Sequence, residues 1–141
     1  MSHHGQHGAR CQLPIDLKSL RAFREFVEAQ TVCAGLPDQD AGLLVVAGAE
    51  VFTNIVRHAR GLPKFAMVDL ITHITAHELV LEIVYRGDEF IPPDQLTETD
   101  FGAFPEGGFG LNIVRLACDR VEFLHQNGVN TVRLSCAKEI C

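Results

Sequence analysis

No two of the five cysteines, Cys11, Cys33, Cys118, Cys136 and Cys141, form a C-x-x-C pair, and their number is odd. Reduced thiols are expected, not a disulfide framework or a zinc site. No apolar run approaches the roughly 18 residues that a membrane-spanning helix needs, and no signal-peptide pattern opens the chain. A cytoplasmic protein with no membrane association is the expectation. Basic residues are also scarce: 12 Lys and Arg stand against 18 Asp and Glu, a formal net charge of −6. That balance disfavours direct binding to nucleic acid or to an anionic membrane.

What remains suits one folded domain. The chain has 141 residues, 47% of them hydrophobic, enough to bury a sizeable core. Residues 1–10 carry His3, His4 and His7 among small and polar residues and read as a disordered tail, without an ordered shell to fix a metal. Residues 11–141 form the expected domain, with no internal repeat, linker or low-complexity block.

Gln12 to Ile15 reads as a short edge strand, restricted to an edge by Pro14. Leu17 to Gln30 has helical spacing and should pack rather than do chemistry. Gly35 to Pro37 breaks the pattern, Asp38 is a plausible cap, and a second helix is expected to run to about Arg60, stopped by Gly61 and Pro63. Phe65 to Thr75 and Glu78 to Arg86 read as a hairpin joined around Ala76 and His77, since Leu79, Leu81, Ile83 and Tyr85 alternate with Glu78, Glu82 and Arg86. Residues 87–108 lack periodicity. A helix is then expected from Leu111, followed by a hairpin of Val121 to Gln126 and Val129 to Cys136 around Asn127-Gly128.

Two stretches depart from simple packing patterns. In the second helix Glu50, Asn54 and His58 lie four residues apart, so at about 100° per residue they share one stripe. A carboxylate there can orient or deprotonate a hydroxyl, and an amide oxygen is a suitable hard ligand for Mg²⁺; a solvent-facing stripe is the plain alternative. In EGGFGLNIVR, Gly107, Gly108 and Gly110 precede an apolar helical run that begins at Leu111. Such glycines let backbone N–H groups approach an anion at a helix start, although a glycine cluster alone more often marks a turn.

Together these stretches resemble the anti-sigma-factor serine kinases of the GHKL, histidine-kinase-like ATPase superfamily. That family's asparagine box, E-x-x-x-N-x-x-x-H-A, is matched by Glu50, Asn54, His58 and Ala59, and its glycine box by Glu106 to Asp119. The resemblance runs from about Leu17 to Leu134. It implies the Bergerat fold: a two-layer α/β (α+β) sandwich in which helices cover one face of a mainly antiparallel mixed sheet. It implies ATP and Mg²⁺ as cofactors, with Glu50 catalytic and Asn54 the metal ligand. His58, Gly107, Gly108, Gly110 and Leu111 would complete the phosphate side of the nucleotide site, and residues 87–108 would form a lid.

At the adenine end the family has a box D-x-G-x-x-F. Gly87 and Phe90 fit it, but Tyr85 stands where the aspartate would accept the adenine amino group. Thr131 matches a threonine that the family places against the adenine edge, preceded here by Asn130 in place of glycine. The resemblance implies a sigma factor or an anti-sigma-factor antagonist protein as partner, serine phosphorylation of that antagonist, and a possible homodimer. The alternative is a degenerate, non-catalytic partner-binding module with impaired or absent ATP binding, which the tyrosine and Asn130 favour.

Overall fold

Alternating burial along the strands builds the architecture. In a computed structural model describing residues 7–91 and 114–138, strands β2 (Met67–Ile74), β3 (Glu78–Arg86) and β5 (Val129–Ala137) turn one set of side chains inward. Val68, Leu70 and Ile74, then Leu79, Leu81, Ile83 and Tyr85, then Val132, Leu134 and Cys136 are buried in one core. With β1 (His7–Pro14) and β4 (Arg120–Gln126) they form a five-stranded sheet in the order β1-β2-β3-β5-β4. Every pairing among the described strands is antiparallel.

Helices cover the inward face. After a 3-10 turn at Leu17–Ser19, capped by Asp16 accepting from the Lys18 N–H at 2.8 Å, α1 (Leu20–Ala34) buries Phe23, Val27, Thr31 and Ala34. The helix starts and ends a few residues later than its periodicity suggests. It is closed by Gly35, whose φ of 74° lets its N–H reach the carbonyls of Thr31 and Val32, a left-handed termination open to glycine at little cost. Helix α2 (Asp38–His58) follows with Pro37, not Asp38, in the capping position; Asp38 and Asp40 occupy its first turn and Arg57 and His58 its last. That charge order complements the helix dipole at both ends.

α1 and α2 meet through stacked rings, Phe23 and Phe52, with centroids 5.0 Å apart. Gly48 makes this approach possible: a methyl group there would lie 3.1 Å from the Phe23 ring and 3.4 Å from Leu81. A mid-helix glycine costs about 1 kcal/mol against alanine, which the tighter helix-to-sheet contact offsets. α2 is long and apolar enough to meet the criteria for a membrane-crossing helix by length and composition, contrary to the expectation that no stretch comes near them. Its apolar residues Leu44, Val51, Phe52 and Ile55 are instead buried as a core helix.

The opposite face is polar at its centre. Arg133 donates to Glu82 at 2.8 Å and to Glu122 at 3.3 Å, tying β3, β5 and β4 together. The hairpin between β4 and β5 turns at Asn127 and Gly128, with φ of 55° and 77°, the two positive angles that Asn-Gly supplies most readily.

Strand β1 corrects the tail boundary. It begins at His7, and His7 to Arg10, expected in the disordered tail, pair with Ile74 to Ile71. The backbone of β2 offers its edge along this whole length, and Arg10 adds an ion pair to Asp69 at 3.4 Å. Backbone pairing does not require an apolar pattern, so composition concealed it.

Candidate functional site

Helix α2 carries its polar stripe on a firmly packed support. Ala47, Val51 and Ile55 are buried beside it, so the position of the stripe is set by the core. Glu50 is half-buried, Asn54 is only 6% exposed, and His58 is exposed at the final helical residue. Among the described residues the Asn54 amide has no hydrogen-bond partner. An unpaired buried amide costs roughly 1–3 kcal/mol unless another group completes it. Its oxygen is a neutral hard donor in a protected position. No group of three His, Cys, Asp or Glu side chains among the described residues could hold a metal ion, so a cation here would depend on Asn54 and on oxygens from a ligand.

The second part of the site lies at the end of β3. Tyr85 is 2% exposed, and its hydroxyl is enclosed without a hydrogen-bond partner. Burial pushes the hydroxyl pKa well above the ordinary tyrosine value, so it stays neutral and can both donate and accept. Directly opposite, across the ladder to β5, is Asn130. Its amide nitrogen donates to the Asp88 carbonyl at 2.9 Å and the Gly87 carbonyl at 3.4 Å, while its amide oxygen accepts from the Phe90 N–H at 2.9 Å.

That one side chain pins the four residues leaving β3. Gly87 donates to the Gly128 carbonyl at 3.1 Å and Asp88 to the Arg60 carbonyl at 2.8 Å, while Phe90 stacks on Phe123 with centroids 6.1 Å apart. Gly87 is required by close approach, since a methyl there would meet the Arg60 carbonyl at 3.0 Å and Leu62 at 3.1 Å. The corner therefore joins the α2–β2 loop to the β4–β5 hairpin.

Thr131 does not belong to this corner. The register pairs it with Val84 and Leu124, whereas Asn130 pairs with Tyr85. Alternation sends Thr131 to the face of the sheet opposite Tyr85, and Asn130 takes the inward position. Strand parity was the available signal, because residues 85 and 130 share the inward face once the Asn127-Gly128 hairpin sets the register.

Gly107, Gly108, Gly110 and Leu111, with the lid region expected over 87–108 from residue 92 onward, lie outside the described residues. The helical turn that follows, at 114–117, is anchored by Val114 and by Cys118, 1% and 7% exposed. Cys136 donates to the Ala117 carbonyl at 3.1 Å, and its sulfur lies 3.6 Å from that of Cys118; both thiols are free.

The histidine kinase-like ATPase domain family matches residues 13–136. Among solved structures, the chain is similar to the crystal structure of the RsbU and RsbW domains of Rv1364c from Mycobacterium tuberculosis, with a TM-score of 0.67 over 96% of this chain. The two are 14% identical, so the similarity is one of fold, and this chain spans 34% of that one. No curated protein matches significantly.

Proposed function

Because the chain belongs to the histidine kinase-like ATPase domain family, we propose that it is an ATP-binding regulatory serine protein kinase of the anti-sigma-factor type, acting in the cytoplasm on a sigma factor or on a small antagonist protein. Asn54 carries the reading: it is an amide 6% exposed, unpaired among the described residues, on a core helix between Glu50 and His58. The residues at this end suit a metal with phosphates. Bound Mg-ATP would supply the phosphoryl group. Asn54 would give an oxygen to the cation, and Glu50 would orient the serine hydroxyl and accept its proton. His58, exposed at the helix end, would support that end instead of moving protons.

The glycine segment enters this reading through the resemblance alone. The partner-binding half draws on that resemblance and on the fold shared with a chain that includes an RsbW domain.

One observation favours a second reading, a non-catalytic partner-binding module. Tyr85 offers a neutral hydroxyl where the resemblance expects a carboxylate, and its ring lies beside Gly87, 3.6 Å from where a Cβ on that residue would sit. A base-recognising group is still present, since the enclosed hydroxyl can accept a hydrogen bond; the space around it is what the second reading disputes.

Isothermal titration with ATP, with and without Mg²⁺, separates the two. Metal-dependent heat in the native chain, lost in Asn54→Ala, is the expected result. Equal Mg-ATP affinity in that variant would remove Asn54 from the site. No heat in the native chain, with an unchanged melting temperature at millimolar ATP, would leave the partner-binding module.

A further inference from the structure

The loop joining α2 to β2 holds features that neither the polar stripe nor the Tyr85 corner uses. Phe65 is 85% exposed and has a φ of 58°, a left-handed conformation that a bulky side chain rarely adopts. At that exposure the ring contributes almost nothing to the core. Lys64 Nζ stands 5.5 Å from the ring centroid, within reach of a cation–π contact.

The charge around it is unlike the rest of the chain. Arg57, His58, Arg60 and Lys64 fall in one short stretch, all exposed, and no acidic residue occurs between Glu50 and Asp69 in a protein of net charge −6. Among the described residues none of the three permanent cations is in a salt bridge. The Asp88 carboxylate lies against Gly61 without pairing to them.

The loop is also held in place. Its start is tied by the Arg60 carbonyl accepting from Asp88 at 2.8 Å, and its end by the Ala66 carbonyl accepting from Ile15 at 3.0 Å. An exposed aromatic residue on a backbone tied at both ends, beside cations without a salt bridge among the described residues, is partly preorganised for binding, because little backbone ordering remains to be done on contact. Aromatic residues of this kind anchor protein interfaces.

We propose that this loop is a docking site for an acidic segment of a protein partner, with Phe65 as its apolar anchor and Arg57, Arg60 and Lys64 as its pairing cations. Charge complementarity selects the occupant: a short acidic segment can meet this local patch, whereas an extended polyanion or an anionic membrane would also face the negative remainder of the chain. The site deepens the partner-binding half of the function proposed above and rests on it, but it needs no nucleotide.

The test is fluorescence anisotropy, without nucleotide, using a fluorescein-labelled peptide of repeated Glu-Glu-Leu. Saturable binding that weakens with added salt is expected. Phe65→Asn and Lys64→Glu should each weaken it by about tenfold or more, while Val32→Ser, a change at an exposed residue on α1, should leave it unchanged. Asparagine tolerates the left-handed conformation, so Phe65→Asn should melt no lower than the native chain, which separates lost docking from lost fold. Absent saturable binding, or equal binding by Phe65→Asn, would overturn the proposal. So would tighter, Phe65-dependent binding to phosphatidylserine vesicles or to a DNA oligonucleotide, which would assign the loop to a membrane or to nucleic acid. Loss of ATP binding in the titration above would leave this result intact, so the two failures are distinguishable.

Discussion

Asn130 lies directly across the β3–β5 ladder from Tyr85, and of these two inward-facing polar residues only one is satisfied. Asn130 uses both ends of its amide on Gly87, Asp88 and Phe90, while the Tyr85 hydroxyl, its facing neighbour, has no partner. The asymmetry separates a side chain that holds the corner together from an enclosed hydroxyl whose bonding capacity is unused.

Tyr85→Phe should therefore leave stability unchanged or raise it by up to about 1 kcal/mol, since an enclosed hydroxyl without a partner is a cost, not a contact. Urea unfolding at neutral pH measures this. A loss of more than about 1 kcal/mol would mean that the hydroxyl is bonded in solution.

The same residue sets an alkaline limit. Its pKa is raised on folding, so its contribution is complete below the unfolded value of about 10 and declines as pH rises above it, by at most about 1.4 kcal/mol per unit. The native chain should lose stability faster than Tyr85→Phe above that pH. Parallel curves for the two proteins would contradict the assignment.

Asn130→Ala removes all three bonds to the segment after β3 and leaves the Phe90 N–H without its acceptor. A loss of about 2–3 kcal/mol is expected, with faster amide exchange at Gly87 to Phe90 than in the centre of β5. Uniform exchange changes throughout the sheet would argue that the side chain does not act locally.

Gly48→Val should destabilise by about 1–3 kcal/mol, because the added groups must enter the Phe23 and Leu81 contacts and overpacking outweighs any gain in helix propensity. Thermal melting measures it. Full stability would show that α1 can move away from α2 without loss.

The placement of the polar stripe and of the strand that ends at Tyr85 was legible in the chain itself. The spacing of Glu50, Asn54 and His58 needs only the helical period, and the alternation of Leu79 to Tyr85 needs only the pleat, so local geometry carries both. The Asn127-Gly128 turn was equally readable, because positive φ at two successive residues restricts which residues fit. These are properties of a few neighbouring residues, and sequence alone determined them.

Tertiary structure decided the rest. Whether Thr131 or Asn130 faces Tyr85 depends on a register between strands 45 residues apart in numbering, and a shift of one residue exchanges the two faces. Pairing to β2 made His7 to Arg10 a strand, because an open edge accepts backbone groups whatever their side chains. Likewise, the isolation of the Tyr85 hydroxyl and the exposure of Phe65 follow from which atoms surround them once the chain has packed, and those neighbours come from distant positions in the sequence.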